Sequence, residues 1–134
     1  MAPTFLIAEA GSCHEGRLEN ALALVRAAKT AGADACKFQF WSSGVRLAGR
    51  RHAGTAHRYL YTKYKLPTAW LSTLRGECEK LGLCFMATAY LPEDVAVVAQ
   101  FVHHFKISSF ESGDSELLVA HRSYCEGTNR LLIV

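Results

Sequence analysis

Residues 84–94 read CFMATAYLPED, an apolar run with one threonine that passes through tyrosine and leucine to a proline and two acids. A run this short and this apolar has the pattern of a strand covered on both faces of its sheet. Pro92, Glu93 and Asp94 suit the first turn of a helix. Proline lacks only an N–H that has no partner there, and the acids meet the positive end of the helix dipole. Strand followed directly by helix is half of a parallel crossover unit, and the chain repeats that alternation on both sides.

Upstream, Thr4 to Ala10 (TFLIAEA) reads as a buried strand. Leu18, Leu22, Val25 and Ala28 then share one helical face between Arg17 and Ala31, with Gly32 as the stop. Ala35 to Trp41 (ACKFQFW) is a second strand. Leu71, Leu74, Cys78 and Leu81 mark the next helix, with Pro67 near its start and Gly82 at its end. Downstream, Val95, Val98 and Val102 give the buried stripe of the Pro92 helix, Phe105 to Ser109 a fourth strand, Ser115 to Cys125 a further helix, and Leu131 to Val134 the opening of a fifth strand. The order β-α-β-α-β-α-β-α-β predicts an α/β fold with a parallel sheet and right-handed connections. The connection from Ser42 to Leu66 exceeds the usual loop length. Its Tyr59, Tyr61 and Tyr64 either shield a pocket or pin the loop, and its basic cluster Arg46, Arg50, Arg51 and His52 reads as a solvated loop.

The chain has 134 residues, 50% hydrophobic and 20% charged, with a formal net charge of +3. That is the balance of one soluble globular domain or part of one, spanning 1–134. The basic residues form no stripe that would track phosphates, so nucleic acid is not an expected partner. Phe5 to Ala8 is too short for a signal core or a membrane span, which makes a cytoplasmic location the expectation and excludes a membrane partner. Cys13, Cys36, Cys78, Cys84 and Cys125 form no CxxC and are odd in number, so they are expected to be reduced.

Residues 104–111, HFKISSFE, carry a lysine inside an apolar run and a carboxylate at its tip. The other polar residues that a covered strand would not need also fall late in strands, on the ligand face of parallel α/β folds. They are Glu9, Lys37, Gln39, Thr88, Lys106, Ser109 and Glu111. Lys37 and Gln39 share a face by the two-residue period, and an irregular strand exit would turn Ser109 and Glu111 inward. Two desolvated ammonium groups are costly without a counter-charge. A bound phosphate or carboxylate would supply one, with Thr88 and Ser109 as hydroxyl donors; the alternative is that each lysine pairs with Glu9 or Glu111. In the turn EAGSCHEG (residues 9–16), His14 reads as a turn-bonding histidine, and the GxGxxG spacing is absent. His103, His104 and His121 are badly placed for a shared metal, so no metal ligand is assigned.

AEAGSCHEG, AGADACKFQFW, CFMATAY and FKISSFESGD together resemble the N-terminal part of the sialic acid synthase family, with its AE-G-NH-G, AGADAVKFQ, F-STP and KI-SGE stretches in the same order. The resemblance covers essentially the whole chain. It implies a TIM (β/α)8 barrel of which this chain supplies about four βα units and the start of strand five. It also implies condensation of phosphoenolpyruvate with an N-acylmannosamine-type sugar to a nonulosonic acid. By position, Lys37, Thr88, Lys106 and Ser109 would contact phosphoenolpyruvate, Glu9 and Gln39 the sugar, and Glu111 the reacting carbon as the catalytic carboxylate. A divalent cation, manganese or magnesium, is implied as well, with its ligands in later strands absent from this chain.

Four positions depart from the pattern: Cys13 stands for asparagine, Ala89 for the proline of STP, and Ser108 and Phe110 for the glycines around the serine of SGE. The last pair is expected to narrow the approach to Glu111. A closed barrel needs eight strands and usually more than about 200 residues, so the chain reads as a truncated piece without the antifreeze-like domain, inactive alone. Its expected partner is a missing C-terminal half or a second copy. Two other readings are carried: a self-contained flavodoxin-like domain that binds a phosphorylated ligand or a protein, with strand order 2-1-3-4-5, and an oligomerisation fragment with a dead site.

Overall fold

A computed structural model describes residues 4–134. Strands β1 (Ile7–Gly11), β2 (Ala35–Phe40) and β3 (Cys84–Ala89) form a parallel sheet in the order β1-β2-β3. Strands β4 (Phe105–Lys106) and β5 (Leu132–Ile133) pair in parallel, and β4 lies against β3. Because β2 separates β1 from β3, the 2-1-3-4-5 order is excluded. Helices α1 (Leu18–Thr30), α2 (Gly44–Arg50), α3 (Thr55–Lys63), α4 (Trp70–Lys80), α5 (Val95–Val98) and α6 (Ser115–Cys125) fill the connections.

Phe38, Phe40, Phe85 and Ala87 alternate along β2 and β3 onto one face, where they share a core with Val25, Leu71, Leu74, Cys78 and Val98. Each large side chain buried there contributes roughly 1.5–3 kcal/mol. The period of two puts Glu9, Lys37, Gln39, Met86 and Thr88 on the other face, and the register sets Lys37 opposite both Glu9 and Met86 and Gln39 opposite Thr88. The covered face therefore needs no polar residue, and the chemistry is confined to the opposite one. All five cysteines are free thiols; burial pushes Cys36 up to about 11 and Cys78 up to about 12.

Three expectations are corrected. The Pro92 helix is a single 3-10 turn (Pro92–Asp94) followed by the short α5, because valines at 95, 97 and 98 are stiff in a helix. Asp94 stands in that first turn, at the start of α5, but is more than a dipole acid: it is buried and accepts the Ser42 N–H at 2.8 Å, tying the exits of β2 and β3 together. The basic cluster Arg46, Arg50, Arg51 and His52 lies not in a solvated loop but on and just after α2, in a Ser42–Leu66 connection built from α2 and α3, with the Ser43 hydroxyl capping α2 through the Arg46 N–H at 3.3 Å.

His14 and His121 are both fully buried. His14 Nδ1 accepts the Gly16 N–H at 3.0 Å, as expected of a turn-bonding histidine, and its ring meets Trp70 edge-on at 5.5 Å. The Leu117 carbonyl lies 2.8 Å from His121 Nδ1, which must therefore carry the proton. Neither Nε2 has a partner among the described residues. Burial holds both imidazoles below the ordinary value of 6.5. Below that pH the unfolded chain takes up protons that the folded chain refuses, so stability falls as pH drops from 6.5 toward the lowered folded values. Each histidine contributes up to about 1.4 kcal/mol per pH unit in that window. Melting temperatures measured between pH 7.5 and 5 should fall, and a His121→Leu variant should fall less steeply; parallel curves would contradict the assignment.

Candidate functional site

Lys37 is the charged centre of the polar sheet face. Its side chain is 9% exposed, its Nζ pairs with a Glu9 carboxylate that is 49% exposed, and it donates to Thr88 Oγ1 at 3.3 Å. The pairing alternative thus holds for Lys37 in the unliganded protein. A lysine whose counter-charge is half in solvent can exchange it for a ligand anion, since the exposed carboxylate regains water when released. Thr88, buried on the neighbouring strand, fixes the ammonium from the opposite side.

Lys106 does not pair with Glu111. Its Nζ donates to the Ile107 carbonyl at 2.8 Å, a neutral group, and no carboxylate pairs with it among the described residues. Glu111 is turned inward by the 3-10 turn Ser109–Glu111, as an irregular strand exit was expected to do, and is 6% exposed. Ser109 itself is exposed, while Ser108, half-buried, donates its hydroxyl to Glu111 Oε2.

The partner of Glu111 is Arg51. Its Nε donates to Glu111 Oε1 at 2.7 Å, with Nη2 on the same oxygen, and Nη1 donates to the Tyr61 hydroxyl at 3.2 Å. The guanidinium carbon lies 4.9 Å from the Tyr90 ring centre, 4.8 Å from that of Phe110 and 5.6 Å from that of Tyr61. Burial opposes the charge of Arg51, but the bonds it donates to Tyr61 and Glu111 outweigh that and hold the guanidinium above its ordinary value. Tyr90 is pushed up to about 12 by burial and by the Glu111 carboxylate. Next to it, Arg50 donates to Glu116 at 2.8 Å and pairs with Asp114, so two consecutive arginines tie α2 to the segment leading into α6.

Two cavities flank the Arg51–Glu111 pair. One of about 310 Å³ is lined by Leu47, Arg50, Tyr90, Phe110 and Asp114 besides the pair itself. The other, of about 280 Å³, has Gln39 and Ser12 in its wall beside Trp41, Tyr61 and Tyr64. Tyr61 and Tyr64 therefore line a pocket, and Tyr61 also pins the connection, because its carbonyl accepts the Trp41 Nε1–H at 2.7 Å. Tyr59 is exposed.

Arg51 is the residue that sequence reading missed, having been placed in a solvated loop. A signal was present: Leu47 and Ala48 bury the inner side of α2, and the double arginine has a match in Glu111, Asp114 and Glu116.

Residues 24–130 match the NeuB family. The chain is 33% identical over 98% of its length to the spore coat polysaccharide biosynthesis protein SpsE of Bacillus subtilis, and 31% identical over 85% to a pseudaminic acid synthase of Campylobacter jejuni; in each case it covers 36% of the relative. It superposes on an N-acetylneuraminic acid synthetase of Leptospira borgpetersenii, solved in complex with citrate, with a TM-score of 0.84 at 26% identity over 98% of this chain and 44% of that one. The chain thus spans about a third of the length of the curated relatives it matches.

Proposed function

The chain belongs to the NeuB family, and we propose that it carries the phosphoenolpyruvate-holding part of a nonulosonic acid synthase whose barrel is completed by further strands. The observation that supports this best is Lys37, a buried ammonium whose counter-ion is exposed and exchangeable and whose other bond goes to a fixed hydroxyl. Lys37 with Thr88, and Lys106 from the next strand, hold the phosphate and carboxylate of phosphoenolpyruvate by charge-assisted hydrogen bonds. The freed Glu9 and Gln39 accept and donate to the hydroxyl and amide groups of an N-acyl amino sugar in its open-chain form.

In the reaction, C3 of phosphoenolpyruvate attacks the aldehyde carbon of the sugar, water adds at C2, and the tetrahedral intermediate expels phosphate to leave a 2-keto acid. Glu111 orients that water or takes its proton as the intermediate forms. Metal chemistry is a different matter. Among the described residues no three His, Cys, Asp or Glu side chains converge as a metal site requires; the divalent cation that the resemblance implies would take its ligands from outside these residues and would supply Lewis-acid polarisation of the sugar aldehyde. Likewise, among the described residues no helix is long and apolar enough to cross a membrane.

Calorimetric titration of the 134-residue chain with phosphoenolpyruvate tests the reading. Saturable heat that inorganic phosphate competes away is expected, and the absence of any binding heat at millimolar ligand would sink it. In the same samples, addition of N-acetylmannosamine should yield no 2-keto acid, because the walls that would enclose the sugar lie outside these strands; measurable product would contradict that part.

A further inference from the structure

We infer that Arg51 is a positioning residue for Glu111, seated by Phe110 and working with Ser108; this rests on the reading of Glu111 as the carboxylate beside the reacting carbon. Two Arg51 N–H groups fall on one oxygen of Glu111 and the Ser108 hydroxyl on the other. A carboxylate held at both oxygens has a fixed plane, as a water-orienting group requires. Arg51 is in turn held by what surrounds it. Its planar group lies over Tyr90 and Phe110 and bonds Tyr61, and cation–π contacts of this kind strengthen as water is excluded.

The residues that depart from the familial glycines are thus the ones in contact with the pair. Ser108 supplies the third donor to Glu111, and the exposed ring of Phe110 covers the outer side of Arg51. Neither residue has a positive φ, so the turn accommodates both without backbone strain. The three side chains form one device, with Arg51 carried on the C-terminal cap of α2.

Carbodiimide coupling of glycine ethyl ester, read by peptide mass spectrometry on the full chain, tests this without phosphoenolpyruvate. Failure of ligand binding and failure of the inference are therefore distinguishable. Buried Asp94, which bonds Ser42 and not Arg51, is the internal control for folding. In the wild type, Glu111 and Asp94 should both label slowly. In Arg51→Met, which keeps an apolar stem against the rings but no donor, Glu111 should label roughly tenfold faster, the size of a lost charged hydrogen bond, while Asp94 stays slow. Arg51→Lys should restore most of the protection. Equal Glu111 rates in wild type and Arg51→Met would overturn the inference. So would an Arg51→Lys variant as reactive as Arg51→Met with Asp94 still protected. If Arg51→Met opens Asp94 as well, Phe110→Ala decides, because that ring is 73% exposed and its loss spares the core. Faster Glu111 labelling with protected Asp94 supports the device, and an unchanged rate overturns it.

Discussion

Replacing Lys37 by alanine lowers the affinity for phosphoenolpyruvate by roughly tenfold or more, the effect of removing one charge-assisted contact to an anion in a poorly hydrated place. Glu9→Gln acts with the opposite sign. In the free protein the ligand must displace Glu9 from Lys37, and a pair with one member 49% exposed contributes up to about 1 kcal/mol. Removing the competing charge should therefore tighten binding about twofold to fivefold, even though the sugar half of the site loses a carboxylate. Calorimetry on the two variants side by side checks this. Weaker binding in both would mean that Glu9 supports the anion site instead of competing with it.

Gly44→Ala should be among the most damaging single substitutions outside the core. A Cβ at this position would lie 2.4 Å from the Thr62 backbone nitrogen and 2.5 Å from the Tyr61 carbonyl carbon, and backbone atoms cannot swing aside as a side-chain tip can. Helices α2 and α3 must separate. That strains the Trp41–Tyr61 bond and draws Tyr61 away from Arg51. Overpacking of this kind costs about 1–3 kcal/mol, or roughly 5 °C of melting temperature per kcal/mol in a domain of this size. Thermal unfolding followed by tryptophan fluorescence should show a lower midpoint and a changed native signal; an unaltered melt would contradict the close approach.

The positions of Lys37, Gln39 and Thr88 were legible because strand periodicity and register are local rules: a two-residue period and a parallel pairing place all three on one face. The inward turn of Glu111 was foreseeable too, since SSFES breaks the apolar run that would have continued the strand. Arg51 was not. Its role depends on where the Ser42–Leu66 connection lies against the segment after β4, about 60 residues away in sequence; the charge match of the two arginines with Glu111, Asp114 and Glu116 hints at that meeting, but no local pattern places it. The familial motifs did not mark it either, because Arg51 lies between the matched stretches. The same long-range packing explains Asp94. As a local signal it reads as a helix-start acid, and only its approach to Ser42 from another strand end makes it a buried tie. Ser108, which departs from the familial glycine and was assigned no role from the sequence, is the serine whose hydroxyl reaches Glu111. The alternative of a flavodoxin-like domain was settled by the placement of β2 between β1 and β3.

A crystal structure of the chain grown with phosphoenolpyruvate is the most direct measurement. The account predicts phosphate or carboxylate oxygens within hydrogen-bond reach of Lys37 Nζ and Thr88 Oγ1, Glu9 swung away from Lys37, and Glu111 still held by Arg51. Ligand density elsewhere on the molecule, with the Lys37–Glu9 pair intact beneath solvent, would contradict it.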